Sequence, residues 1–237
     1  MRNKTRLGAA VAALVFIAVA PSAKAQIPGL PLHVGAGVVG STLGLGGDVS
    51  VGLGSHIVVR AARTAGSIGV DQTLHSQAYN LFAKADNRAF MVDIHPFGGG
   101  LYVSAGKVQN HSTLRLTGTP TNGTYTVNGQ SYAADSVGTL VGAIRLPQEP
   151  TFFGLGWDHT FGNAWPTSLT TRVGVLHQDK PGLDLSATGP YGQTSNPNHA
   201  QFQAQLDAER AKQEASLDKG VTRNMPVFEI GMRLRLF

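Results

Sequence analysis

The sequence of 237 residues contains no cysteine. Disulfide bridges, thiolate zinc sites, cysteine nucleophiles and a lipid-modified N-terminal cysteine are therefore excluded. Charged residues are also scarce, at 14%, and beyond the N-terminal segment no apolar run approaches the roughly 20 residues that a membrane helix needs. Glycine is abundant, with 30 residues. The mean hydropathy of −0.02 is still compatible with a membrane barrel, whose alternating strands average to neutral hydropathy.

Long runs of basic residues are missing as well. The whole chain carries a net charge of +5, from 19 basic and 14 acidic residues. Four of the basic residues, Arg2, Lys4, Arg6 and Lys24, lie in the first 25 positions, so that 15 basic residues face 14 acidic ones in the remainder. The high isoelectric point of about 9.7 thus belongs largely to the N-terminus, and nucleic acid is not an expected partner.

The N-terminus has the three parts of a secretory signal. A basic segment is followed by the uncharged stretch Leu7–Ala20 and by the small-residue motif Ala23-Lys24-Ala25. We predict export through the secretion translocon and cleavage after Ala25. The alternative, a membrane anchor, is disfavoured because the stretch is too short to span a bilayer. Residues 26–237 are expected to form one barrel domain.

The C-terminal twelve residues alternate in polarity with a period of two. One face carries Phe228, Ile230, Met232, Leu234 and Leu236, and the other carries Glu229, Gly231, Arg233 and Arg235. A strand that is apolar on one face and charged on the other, ending at Phe237, is typical of a bacterial outer-membrane barrel. We expect the apolar set together with Phe237 to be the segment that the barrel-assembly machinery reads.

Similar alternation recurs along the chain between Gly/Pro turns and predicts an antiparallel, up-and-down transmembrane β-barrel. The strand count lies between eight and ten, depending on the weak candidates His33–Thr42 and Leu183–Thr188. Ten strands are favoured, because they place four short turns on the periplasmic side and two long segments outside. The turns are Gly54-Ser55, Pro96–Gly100, Pro147–Pro150 and Asp179–Gly182, and the long segments are about 111–136 and 190–225.

Two segments do not resemble barrel wall. Residues 111–136 contain Asn128-Gly129, the strongest short signal for a β-hairpin. Residues 197–219 predict a helix that Asn196 caps and Gly220 ends. The apolar stripe of this helix is thin, with Phe202, Leu206 and Leu217, which favours a solvated loop helix over a helix that binds a partner.

Charged residues fall on the faces opposite the apolar ones. They are Asp48, Asp93, Asp158 and Glu229, with Arg60, Arg145, Arg172, Arg233 and Arg235. Opposite charges that face a narrow lumen are expected to pair, because an isolated buried charge is too costly. The prediction is a salt-bridged, largely closed lumen, and the alternative is a narrow pore for ions or small solutes.

Catalytic, metal and cofactor sites are not predicted. His159 and His177 lie close in sequence to Ser168 and Asp158, but both histidines fall on the apolar, lipid-facing phase of their strands. The sequence has no Gly-x-Ser-x-Gly elbow, and its remaining histidines lack metal-ligand spacing. We therefore expect a non-enzymatic protein.

Three stretches carry a resemblance to a known group. Residues 92–106 (VDIHPFGGGLYVSAG), 153–157 (FGLGW) and 183–190 (LDLSATGP) resemble segments of small proteobacterial outer-membrane barrels of the OmpA/opacity-protein type. The resemblance implies a Gram-negative outer membrane, contact with its lipid, and no defined activity or surface partner. Alternation alone is equally compatible with a soluble secreted barrel that binds a ligand inside; the signal peptide, Phe237, the glycine content and the resemblance favour the membrane.

Overall fold

The computed structural model describes residues 32–74, 77–120, 123–158, 160, 166–217 and 223–236. The predicted signal peptide, its cleavage site and Phe237 lie outside these residues. Within them the chain forms 13 strands, two α-helices and one 3₁₀ turn.

Eight strands close into an antiparallel barrel. They are β1 Leu32–Ser41, β2 Gly44–Leu53, β3 Ile57–Leu74, β4 Gln77–Ile94, β5 Leu101–Asn110, β10 Thr151–Asp158, β11 Thr167–His177 and β13 Asn224–Arg235. Each pairs with the next in this order, and β13 pairs with β1 to close the ring. The order follows the chain except for two insertions, one between β5 and β10 and one between β11 and β13.

The two ends of the barrel differ. Leu32, Arg235 and the turns after β2 and β4 lie at one end, which we call the terminal end. Both insertions leave from the opposite, extended end, where β3 and β4 continue past the wall as a long hairpin. Residues 87–94 of β4 pair with β5 in the wall, whereas residues 77–84 pair with a further strand, β6, of residues Thr113–Pro120. The extension is completed by β6 Thr113–Pro120, β9 Leu140–Arg145 and β12 Gly182–Ala187.

The prediction of ten wall strands is therefore wrong, and the wall has eight. The weak candidate at His33–Thr42 is a wall strand, but Leu140–Arg145 and Leu183–Thr188 fall in the extension. Two of the predicted turns, Pro147–Pro150 and Asp179–Gly182, consequently lie at the extended end. The prediction failed because a sheet that continues beyond a barrel alternates in polarity as the wall does.

The remaining elements cover one face of the extension. The hairpin of β7 Thr124–Val127 and β8 Gln130–Ala133 turns at Asn128-Gly129, as predicted, with φ of 47° and 80°, which a type I′ turn requires. Helix α1 (Ala134–Val137), the 3₁₀ turn Pro190–Gly192 and helix α2 (His199–Leu217) complete this part. Among the described residues, none of the helices has the length and apolar character of a membrane span.

Helix α2 lies within the predicted 197–219, but it is not simply solvated. Phe202 and Leu206 are buried in a cluster with Tyr125, Val127 and Val137. The hairpin tip is also tied to the helix, since the side-chain amide of Asn128 donates to Gln205 at 2.8 Å. Two apolar residues one turn apart therefore suffice to dock the helix, because the hairpin supplies the rest of the core. Asn196 accepts from the backbone N–H of Asn198 at 2.8 Å, just before the helix begins, and Gly220 lies outside the described residues.

Candidate functional site: the barrel lumen

The alternation of the wall strands resolves into an inside and an outside. Inward positions hold glycine, small polar residues and the charged residues, whereas 22 large apolar side chains spread over all eight wall strands are exposed on the outer surface. Of the C-terminal apolar set, Phe228, Ile230, Met232 and Leu234 are exposed on this outer face. Leu236 is half-buried at the end of the chain that the structure describes.

Seven of the nine predicted lumen residues are brought together. They come from six strands and point inward: Asp48, Arg60, Asp93, Asp158, Arg172, Glu229 and Arg233. We call this set the charged layer. Most of these side chains are almost completely buried, and Glu229 is the most accessible, at 8%.

Arg60 is the centre of the charged layer. Its guanidinium lies 2.6 Å from Asp93, 3.4 Å from Asp158, 3.6 Å from Asp48 and 3.8 Å from Glu229. The same guanidinium stacks over the ring of Tyr102, with 5.5 Å to the ring centroid. One arginine on β3 thereby connects carboxylates from β2, β4, β10 and β13 across the lumen.

Two further arginines complete the layer. Arg233 forms ion pairs with Asp48 and with Asp158. Arg172 pairs with Glu229 at 2.5 Å and lies over the ring of Phe152, with 5.3 Å to its centroid. Each guanidinium thus has at least one carboxylate partner, as buried charges require.

The other two predicted residues lie elsewhere. Arg145 is on β9, outside the barrel, and forms an exposed ion pair with Asp184 of β12 at 2.9 Å. Its placement in the lumen was wrong, because β9 is not a wall strand. Arg235 is half-buried on β13, two residues beyond Arg233 and nearer the terminal end.

A second, apolar layer fills the lumen toward the extended end. It consists of Ala89, Met91, Val108, Phe152, Leu176 and Val227, and Phe152, Val108 and Leu176 are fully buried. Sequence reasoning missed this layer, although a signal exists. Adjacent apolar residues such as Phe152-Phe153 and Leu176 after Val175 put apolar side chains on both faces of a strand, which predicts that the interior is apolar at that height.

Small residues are required where the charged layer meets the wall. A Cβ on Gly156 would lie 2.3 Å from the ring of Tyr102 and 2.6 Å from the carbonyl oxygen of Thr171. A Cβ on Gly37 would lie 2.7 Å from the carboxylate of Asp48. Inward glycines therefore make the space that the large lumen side chains occupy.

A small cavity remains at the terminal end of the lumen. Its volume is about 20 Å³, and its lining includes Ser55, His95 and Asp158. A space of this size holds about one water molecule. No group of His, Asp and Glu among the described residues is arranged to hold a metal ion.

The histidine, serine and aspartate residues considered above as catalytic candidates do not assemble into a Ser-His-Asp triad in the part of the chain that the structure describes. Ser168 lies 2.6 Å from Thr160 and 3.5 Å from Asp158, all buried at the terminal end. His177 is at the other end of β11, exposed, and bonded to Asn224 at 2.8 Å. His159 lies outside the described residues.

Two solved structures share this fold. CarO2 of Acinetobacter baumannii aligns with a TM-score of 0.57 and 20% sequence identity, over 86% of this chain and 99% of that chain. CarO of Acinetobacter baumannii aligns with a TM-score of 0.53 and 19% identity, over 84% of this chain and 96% of that chain. At these identities the likeness shows the fold, and the OmpA/opacity type stays a prediction. No protein-family model and no curated protein sequence matches the chain.

Proposed function

We propose that the chain is a non-enzymatic outer-membrane β-barrel with a closed lumen and a folded external part that has a structural or surface-interaction role. The proposal depends on one observation: the large apolar side chains of the wall strands lie on the outside of the barrel, and the ion pairs lie inside it. A barrel that binds a ligand in water has the opposite arrangement.

The exposed apolar band supports contact with lipid. The band runs around the whole barrel, because every one of the eight strands contributes to it. A soluble monomer usually exposes only a local apolar patch, of about 300–600 Å² at most. Complete burial of a large apolar side chain is worth about 1.5–3 kcal/mol, and each residue of the band is still 37–61% exposed. A band of 22 such residues is therefore favourable only where acyl chains surround it.

The asymmetry of the two ends supports an orientation. The terminal end has the short turns at residues 54–56 and 95–100, and the extended end carries both long insertions. Outer-membrane barrels have short periplasmic turns and longer external loops. We therefore place the hairpin of β7 and β8 and helix α2 outside the cell.

Closure of the lumen supports a role at the surface over transport. An eight-stranded barrel is only wide enough for its interior to be filled by side chains, and here a charged layer and an apolar layer fill it in series. The alternative of a narrow pore for ions or small solutes requires both layers to open.

The membrane location is tested by placing one charge at two apolar positions. Leu155 is in the middle of β10 and 53% exposed, and Ile68 is on β3 beyond the wall and 61% exposed. We expect Leu155→Arg to lower the free energy of unfolding in phospholipid vesicles by about 2–4 kcal/mol, because the guanidinium meets acyl chains. Ile68→Arg, the matched control, is expected to change it by less than about 0.5 kcal/mol.

Equal effects of the two substitutions would contradict the location, since both side chains are exposed to solvent if the barrel is soluble. Recovery of the mature protein in the soluble periplasmic fraction would contradict it independently.

A further inference from the structure

Basic residues on the outer surface of the barrel are confined to one side. In the wall strands that the structure describes, the outward-facing lysines and arginines are Arg63 on β3, Lys84 and Arg88 on β4, and Lys107 on β5. All four are exposed, and the outward positions of β1, β2, β10, β11 and β13 hold neither lysine nor arginine. We call these four residues the basic face.

The strand register makes the basic face compact. Arg63 and Arg88 are direct cross-strand partners, so that their Cβ atoms are about 4.5–5.5 Å apart. Lys107 pairs with Phe90 and is therefore diagonal to Arg88 on the neighbouring strand, at about 7–8 Å. Lys84 lies on the same face of β4, four residues from Arg88, where the strand has passed beyond the wall and pairs with β6.

Acidic neighbours do not neutralise this face. Asp86 lies 3.5 Å from Arg63, whose side chain remains 64% exposed. Glu149 is exposed in the segment that continues the pairing of β10 with β5. Four bases thus face two acids, and like charges directly opposite each other on neighbouring strands destabilise a sheet unless an anion lies between them.

The height of the basic face matches a head group. On β3, β4 and β5 the outer surface is apolar from the terminal end up to Ala61, Phe90 and Ala105, and the next outward residue on each strand is basic. Below Lys107 the wall continues over Val103 to an open groove of about 170 Å³ lined by Leu101, Leu155 and Trp157. A lipid with an anionic head group would therefore place the head group against the basic face and its acyl chains against the apolar wall and groove.

From this combination we propose that the basic face binds the phosphate groups of an outer-leaflet lipid, whose acyl chains lie on the wall of β5 and β10. Exposed guanidinium and ammonium groups are the usual ligands of phosphate. The inference rests on the proposed membrane location and adds a ligand class and a binding surface to it.

The test uses the full mature barrel in micelles of an uncharged detergent. The probes are lipid A that carries two phosphates, the same lipid after enzymatic dephosphorylation, and inorganic pyrophosphate; bound molecules are counted by native mass spectrometry across a titration. The variant is Arg88→Gln with Lys107→Gln. The matched control is Arg145→Gln, which removes an exposed arginine of the extension.

The phosphorylated lipid should bind the unmodified protein at least about tenfold more tightly than the dephosphorylated lipid does. The double variant should lose about fivefold in affinity for each charge removed, and Arg145→Gln should bind as the unmodified protein does. Added salt should weaken the unmodified protein's binding more than the variant's, since exposed charges are screened.

Three results would overturn the inference: equal affinity for the two lipids, equal affinity of the double variant and the unmodified protein, or pyrophosphate binding as tight as that of the lipid. A barrel that inserts into vesicles but gives any of these results refutes the lipid site alone. Failure to insert into vesicles at all refutes the proposed function.

Discussion

Arg60 offers the sharpest test of the charged layer. Its guanidinium is within 4 Å of four carboxylates, and its side chain is fully buried. A pair of unit charges at 4 Å is worth about 4 kcal/mol at an effective dielectric constant of about 20, so several partners offset the several kcal/mol that burying one guanidinium costs. Replacement by an apolar side chain of similar length leaves Arg172 and Arg233 to compensate all four acids.

We therefore expect Arg60→Met to lower the free energy of unfolding by about 3–5 kcal/mol, the usual cost of breaking a buried ion pair from one side. Arg145→Met is the matched control. It removes an ion pair whose side chains are 69% and 50% exposed, and exposed pairs contribute at most about 1 kcal/mol. Combining Arg60→Met with Asp93→Asn should cost less than the sum of the two single changes, because Asp93 lies closest to Arg60 and loses its counter-charge in the single variant.

The assay is urea-induced unfolding of the barrel in phospholipid vesicles, followed by tryptophan fluorescence, for which Trp157 on the outer wall is a reporter. A loss of less than about 1 kcal/mol for Arg60→Met, or an equal loss for Arg145→Met, would show that the charged layer does not hold the barrel together.

Two further predictions concern the lumen and the external part. Planar bilayers with the unmodified protein should show no large steady currents, whereas Asp158→Ala, which removes a partner of both Arg60 and Arg233, should raise ion leakage; porin-like currents from the unmodified protein would favour the pore. Phe202→Ala should lower the local unfolding free energy of the hairpin of β7 and β8 and helix α2 by about 3–5 kcal/mol. Their amides should then exchange faster, while those of the wall strands stay protected. Lys212→Ala, an exposed change on the same helix, is its control, and equal protection in both variants would refute the docking of α2.

The wall could be predicted from sequence because its physics is local. A period of two assigns each residue of β13 or β2 to a face without knowledge of the neighbouring strands. Alternation does not say which face is inside, and the structure answers that through burial: Asp48 and Arg233 are buried, and Val49 and Met232 are exposed.

The number of wall strands, and with it the complete set of lumen residues, could not be predicted from alternation alone. Whether Leu140–Arg145 belongs to the wall depends on its pairing with β6 and on the length of β4, which extends over 18 residues and passes beyond the wall. Pairing over such separations is a property of the tertiary fold. Arg145 was assigned to the lumen for the same reason: the prediction took its strand, β9, for a wall strand, and β9 lies in the extension.

The two layers of the lumen also bear on the choice between a surface role and a pore. An ion that enters from the terminal end meets the charged layer, where its own charge could replace one partner of Arg60 or Glu229. Beyond it lies the apolar layer, where Phe152 and Leu176 offer no polar group and an unpaired ion is strongly disfavoured. To open that layer, inward side chains from several paired strands would have to move together. The interior of an eight-stranded barrel leaves them little room to do so. The hairpin of β7 and β8 and helix α2 need no such rearrangement to meet a partner, since they have their own buried cluster and lie beyond the wall. We favour the surface role for this reason.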